Sequence, residues 1–256
     1  MQVHKIKKFI INWLDHYAKQ YDIQVFVVGV SGGIDSALTS NLCALTGIKT
    51  IVVSMPIHQN KIELNNANEH IKWLEKLYPN VKSETIDLTI IFEQFKKETP
   101  VKFQSLLSLA NTRARLRMTT LYQIAGTVNG LVVGTGNKVE DFGIGFFTKY
   151  GDGGVDISPI ADLTKSEVRK LAEHCGITKR IITAAPTDGL WEDGRNDEDQ
   201  IGATYQELEW AMSSSKTHTL TQRQKEVLKI YQKLIKNNKH KMEAIPICKI
   251  PNNLKS

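Results

Sequence analysis

Between residues 4 and 19, Ile6, Phe9, Ile10, Trp13, Leu14 and Tyr17 recur at helical spacing, which predicts an amphipathic helix. The pattern then changes. Residues 25–30, VFVVGV, are a short unbroken run rich in β-branched side chains, the mark of a strand buried on both faces. Comparable runs occupy residues 50–55, 130–135 and, more weakly, 83–88, with helical patterns over 36–45, 62–77 and 105–127 between them. Strand–helix alternation of this kind predicts an α/β fold, a doubly wound parallel sheet with flanking helices. Ligands of such sheets bind beyond the carboxyl ends of the strands. The polar loops that directly follow the apolar runs are therefore where chemistry is expected. Trp13, Trp73 and Trp210 fall at helical apolar positions and are assigned to the core.

After residue 135 the periodicity becomes irregular. Thr164, Lys165, Ser166 and Glu167 form a capping box, opening a helix that Gly176 should close. Residues 188–199 carry six acids against one arginine and are expected to be a mobile lid. Trp191 within them is either a packing residue or a cover for a bound ring. A further helix is expected over residues 222–236.

Composition adds limits. The 256 residues suffice for one large domain, no apolar run is long enough to span a bilayer, and the amino terminus lacks the apolar block of a secretory signal. Cys43, Cys175 and Cys248 are odd in number and far apart, as expected of reduced thiols in the cytoplasm. The net charge of +6 is unevenly placed: residues 216–256 hold ten Lys/Arg against two Asp/Glu, so the rest of the chain is slightly acidic. The basic segment is either a solvated helix face or an attractor for a phosphate-rich ligand. No RNA-binding signature accompanies it.

The loop Gly29-Val30-Ser31-Gly32-Gly33-Ile34-Asp35-Ser36 joins the first strand to a helix. Adjacent glycines let backbone N–H groups turn onto an anion, and the helix N-terminus adds its dipole. The lysine of a Walker A loop is absent. Asp35 admits two readings, a Mg²⁺ ligand facing a polyphosphate or a helix-start residue satisfied locally. This strand–SGGIDS–helix arrangement resembles the pyrophosphatase loop of the ATP-pyrophosphatase superfamily, whose members split ATP between its α and β phosphates.

A second block, GTGNKVEDFGIGFFTKYGDGGVDISPIADLTKSEV over residues 134–168, is similar to the core of NAD synthetases. NTRARLRM (111–118), APT (185–187) and NKHK (238–241) agree in order. The resemblance implies one synthetase domain over residues 1–256, amidating deamido-NAD with ATP and free ammonia through an adenylate. It places ATP on residues 29–36, Thr135, Lys165 and Thr187. It places deamido-NAD on Arg115, Lys149, Asp156, His240 and Lys241, and Mg²⁺ on Asp35 and Glu140. Asp35 and Lys165 are then catalytic, with Asp152 or Asp156 accepting the amine proton. A homodimer sharing the dinucleotide site is also implied. Too little chain precedes the loop for a glutaminase domain. Several family members are one residue shorter before GFFTK, which leaves Glu140 and Asp141 to be distinguished. From the residues alone, Lys149–Gly154 reads equally as a glycine turn and His240 as a surface histidine. Of Arg113, Arg115 and Arg117, one is expected at the ligand and the others in surface or dimer salt bridges. The competing functions are another amidating or tRNA-thiolating enzyme of the superfamily, and a non-catalytic nucleotide- or RNA-binding protein. Neither nucleic acid nor membrane is expected as a partner.

Overall fold

The computed structural model describes residues 1–187, 196–213 and 220–255. The elements run α1 (Val3–Gln20), β1 (Val25–Gly29), α2 (Ile34–Ala44), β2 (Lys49–Ser54), α3 (Lys61–Leu77), β3 (Val81–Thr85), α4 (Thr89–Glu98), α5 (Leu106–Thr127) and β4 (Gly130–Val132). A π-helical turn, Lys138–Ile144, follows. After it come α6 (Lys165–His174), α7 (Lys179–Ile182), α8 (Asp197–Ile201), α9 (Tyr205–Ser213) and α10 (Gln222–Met242).

The four strands form one wholly parallel sheet in the order β3-β2-β1-β4. Alternate residues of β1 face opposite layers, as a pleated strand requires. Phe26 and Val28 pack with Ile10 and Leu14 of α1, Leu38 and Leu42 of α2 and Val168 and Leu171 of α6. Val25 and Val27 pack on the other side, with Phe92 of α4 and Met118 and Leu121 of α5. Helices therefore cover both faces, which is the doubly wound architecture. A third cluster, containing Val139, Ile144, Tyr205, Leu208 and Val227, seats α9 and α10 on the π-helical turn. Chain order reverses direction between β1 and β4, and the crevice at their carboxyl ends is the topological switch point where such sheets bind ligands.

Several expectations shift. The third strand begins two residues earlier than its apolar pattern suggested, at Val81. It lies at the sheet edge, where one-sided exposure blurs the hydrophobic signal. The backbone past its end still bonds alongside β2, from Ile86 N to the Ser54 carbonyl at 2.9 Å. Helix α4 was not anticipated, because Ile90, Ile91 and Phe95 are exposed and spoil a simple stripe. Trp13 is 37% exposed on the outer side of α1, beside Tyr17, and is not core; Trp73 and Trp210 are half-buried. The acidic stretch is partly helical: Asn196 caps α8 by accepting from the Asp199 N–H, so residues 197–199 start a helix. The rest of the expected lid, 188–195 with Trp191, lies outside the described residues. Helix α10 runs six residues past the expected end. The three cysteines are free thiols, and no helix among the described residues is long and apolar enough to cross a membrane.

Candidate active site at the switch point

The loop after β1 is built for an anion. Gly32 has φ +91°, and a side chain there would run into the Glu63 carbonyl and Asn66 of α3. Only glycine fits. The Ser31 N–H donates to Ser36 Oγ at 3.2 Å, the Gly33 N–H to Ser31 Oγ at 3.2 Å, and Ser36 Oγ to the Gly33 carbonyl at 3.0 Å. These bonds hold the loop closed. Helix α2 has no side-chain cap at its N-terminus, and its first intrahelical bond is donated by Ala37. The N–H groups of Ile34, Asp35 and Ser36 thus begin the helix as the free donors every helix start leaves, at its positive end.

Beside the loop stands a carboxylate–lysine centre. Lys165, first residue of α6, is 3% exposed, and its Nζ donates to Asp35 Oδ2 at 2.6 Å and Glu140 Oε1 at 3.0 Å. Asp35 comes from the helix after β1, Glu140 from the π-helical turn after β4. The two sides of the crevice meet through one ammonium. Burial presses the lysine pKa down, but the Asp35 and Glu140 charges outweigh it and hold the ammonium above the ordinary lysine range. Burial lifts Asp35's pKa, Lys165 pulls it back, and the Glu140 charge adds to the lift. For Glu140, burial is outweighed by Lys165 and the Tyr205 hydroxyl, and the acid lies below its usual range. Asp141 does not share the lysine. Its carboxyl packs over Gly136, where burial and then the Glu140, Asp152 and Asp35 charges raise its pKa to about 8. Of the two adjacent acids, Glu140 is the one that accepts from Lys165.

Two residues escaped the sequence reading. Asn137 is fully buried; its Oδ1 accepts from the Val139 and Glu140 N–H groups and its Nδ2 donates to Asp35 Oδ1 at 3.2 Å. Tyr205 donates to Glu140 Oε1 at 2.5 Å, lies 3.1 Å from Asp197 Oδ2, and carries the Lys165 ammonium 4.7 Å above its ring centroid. The signals were faint but present. Asn137 is an N-cap type residue just before an acidic pair, and Thr204 with Glu207 forms a reciprocal cap on α9.

The residues expected at the dinucleotide gather on a neighbouring surface. Lys149 Nζ donates to the His240 carbonyl at 2.9 Å, Arg115 Nε to the Lys149 carbonyl at 3.2 Å, and Lys241 Nζ to the Phe147 carbonyl at 2.7 Å. The basic end of α10 is pinned to the loop it was expected to accompany. Asp156 is fastened into the fold, accepting from the Val132 N–H at 2.7 Å and the Tyr122 hydroxyl at 2.9 Å. Asp152 accepts from the Thr148 N–H at 3.0 Å; desolvation first, with help from the Glu140 charge, raises its pKa to about 6. Alongside lies an open depression of about 680 Å³ edged by Met118, Tyr122, Tyr150 and Val155. Thr135 is half-buried just past β4, and Thr187 is exposed. Arg113 does not take a surface position. Arg113 is buried with its guanidinium 4.7 Å from the Phe92 ring centroid, and Arg117 donates to the Met55 carbonyl at 2.9 Å, tying α5 to the end of β2.

Residues 6–245 match the family described as NAD synthase. The chain belongs to that family. It is 39% identical to the NH3-dependent NAD+ synthetase of Carboxydothermus hydrogenoformans, over 78% of this chain and 81% of that one. It is 34% identical to the enzyme of the same name from Methanosarcina acetivorans, over 96% and 98%. Among solved structures, the NMN synthetase of Francisella tularensis matches with a TM-score of 0.88 at 32% identity, covering 98% of this chain and 100% of that one. The NH3-dependent NAD synthetase of Campylobacter jejuni matches at 0.79 and 28%, covering 97% and 100%. The carboxylate–lysine centre is therefore a feature of a member of a ligase family that makes C–N bonds.

Proposed function

We propose that this chain amidates deamido-NAD to NAD⁺ with ATP and free ammonia, releasing AMP and pyrophosphate. The observation that carries the reading is the meeting of Asp35, Glu140 and Lys165 beside a glycine–serine anion loop, at the switch point of a chain of the NAD synthase family. The nitrogen donor is inferred from the NH3-dependent relatives, whose length this chain largely spans.

A free carboxylate does not exchange oxygen for nitrogen usefully, because oxide is a poor leaving group. Here the nicotinate carboxylate oxygen attacks the α-phosphorus of ATP, the bond to the β-phosphate bridging oxygen breaks, and pyrophosphate leaves. Loop N–H groups of residues 34–36 hold the phosphates, and Lys165 spreads positive charge to the developing anion. Ammonia then attacks the acyl carbon, AMP departs, and the amine proton passes to a carboxylate. Asp152 is the carboxylate assigned to take it. The residues fit Mg²⁺: the donors are hard oxygens, and two carboxylates already converge on one cation, the lysine ammonium. Asp35 and Glu140 would hold the ion, which supplies charge neutralisation and Lewis acidity at the phosphate oxygens.

The acceptor is assigned to the depression beside Tyr122 and Tyr150, with Arg115, Lys149, Asp156, His240 and Lys241 around it. A homodimer is supported by exposed apolar side chains on α4 and the turn into α5: Ile90, Val101, Phe103, Leu106 and Leu107. Gathered into one patch, such side chains favour a partner. Sedimentation at micromolar concentration is expected to give a dimer, and a monomer would remove it.

A second reading concerns the acceptor alone. The fit to an NMN synthetase over both full lengths supports a mononucleotide, nicotinate mononucleotide, as the molecule amidated. Comparing kcat/KM for the two acceptors with ATP, Mg²⁺ and ammonium decides: the dinucleotide is expected to be preferred, and a preference for the mononucleotide would transfer the assignment. With the preferred acceptor labelled by ¹⁸O in its carboxylate, one label should appear in AMP. Label found only in pyrophosphate would sink the adenylate.

A further inference from the structure

Glu140 has three side-chain torsions and sits on a short irregular turn, so something must fix it before it can serve a metal ion or hold a lysine. Fixing such a side chain costs rotamer entropy, and that cost is best met by a partner already rigid. Tyr205 is such a partner. It is 1% exposed in the cluster formed with Val139, Ile144 and Leu208. Its backbone N–H donates to Glu198 Oε1 at 2.8 Å, at the start of a helix with a reciprocal Thr204–Glu207 cap.

We propose that Tyr205 is the positioning residue of the carboxylate–lysine centre, its hydroxyl holding Glu140 in place and its ring face holding Lys165. The inference rests on the metal and ATP reading above and adds a residue to it. Lys165 and Tyr205 both donate to the same oxygen, Glu140 Oε1, so two directions are fixed at once. The lysine is the member drawn towards phosphate when ATP enters, because its ammonium is then offered further anionic oxygens. Once it moves, the Tyr205 hydroxyl is the donor that keeps Glu140 where the ion needs it. The hydroxyl has one hydrogen and two carboxylates within reach, Glu140 and Asp197, and it serves the nearer. Asp197, which opens α8, keeps its Oδ2 3.1 Å from the same hydroxyl.

Tyr205→Phe keeps the ring beneath Lys165 and removes only the hydroxyl. Binding of Mn²⁺ with ATP, followed by the electron paramagnetic resonance of free Mn²⁺, is expected to weaken about 10-fold, in the range for losing an outer-sphere partner. The kcat should fall about 10- to 100-fold with the acceptor KM unchanged. In combination with Glu140→Gln, the tyrosine change should add little further loss of Mn²⁺ affinity, since both act on one carboxylate. Equal Mn²⁺ affinity in parent and Tyr205→Phe, or full additivity with Glu140→Gln, overturns the proposal. A parent that binds no Mn²⁺ with ATP instead overturns the metal reading beneath it. Should the phenylalanine variant fail to fold, 3-fluorotyrosine placed at position 205 of the parent gives a single ¹⁹F resonance. That resonance is expected to shift when Mg²⁺ and ATP are added together, and an unmoved line refutes the role.

Discussion

His70 is a neutral histidine sealed into the fold, and its protonation should destabilise the chain in a calculable way. It is 1% exposed, stacks on Trp73 with ring centroids 5.5 Å apart, and contacts Ser40 Oγ through Nε2 at 2.9 Å. The single Ser40 hydrogen is directed to the Ser36 carbonyl at 2.7 Å, which leaves the serine oxygen to accept from Nε2–H. A second proton would place a charge in the core, and burial accordingly lowers the pKa to about 4 from 6.5. Between those values the unfolded chain binds the extra proton and the folded chain does not. Stability is therefore complete above pH 6.5 and is lost as pH falls towards 4. The full span is worth about 3 kcal/mol, of which about 2 kcal/mol is lost between pH 7.5 and pH 5. His70→Phe keeps a ring against Trp73 and cannot titrate. Urea unfolding at pH 7.5, 6.5, 5.5 and 5.0 should show the parent losing about 2 kcal/mol more than the variant over that interval. The comparison cancels the acids that titrate in both proteins, including Asp141 and Asp152. Parallel losses in the two proteins would refute the argument from a buried neutral ring.

Three further outcomes are expected. Asp35→Asn should lower kcat by about 10²-fold or more while acceptor KM stays within about twofold; equal damage to both in steady-state kinetics would deny it a phosphate-side role. Gly32→Ala, forced to φ +91° and against the Glu63 carbonyl, should cost about 2–3 kcal/mol in thermal or urea unfolding. An alanine variant of parental stability would mean that the loop relaxes away from α3. Lys241→Ala frees the Phe147 carbonyl and should raise acceptor KM about 10-fold with little change in the KM for ATP; an unaltered acceptor KM would leave α10 as a structural strut.

Much of this fold was legible because its central strands are buried on both faces. Residues 25–30 are wholly apolar, and residues 50–55 interrupt their run only with Thr50 and Ser54, both buried, so both read as strands. The edge strand β3 and helix α4 each expose one flank, and their boundaries blur accordingly. The phosphate loop was legible for a different reason: positive φ at Gly32 and donors at a helix start leave a compositional trace, two glycines between serines. Tyr205 left no such trace at its own position. Its importance depends on Glu140 lying 65 residues away, and only folding brings the two together. Arg113 was misplaced for the same reason, since nothing local announces that Phe92 will accept a guanidinium.

Glu140 and Asp141 are neighbours in the chain with different partners in the fold. Successive residues of an ordinary α-helix point about 100° apart, so two adjacent acids do not face one partner. The segment that carries them is a π-helical turn over Lys138–Ile144, a geometry that recurs at functional sites. Asn137 secures the start by accepting from both the Val139 and Glu140 N–H groups, and Gly145, at φ +63°, closes the end against Asn238. Glu140 is thereby kept on Lys165, and the downstream GFFTK segment is kept on the end of α10. Asp141 is folded back over Gly136, the position where any side chain would strike its carboxylate. The glycine at 136 and the acid at 141 are thus a matched pair.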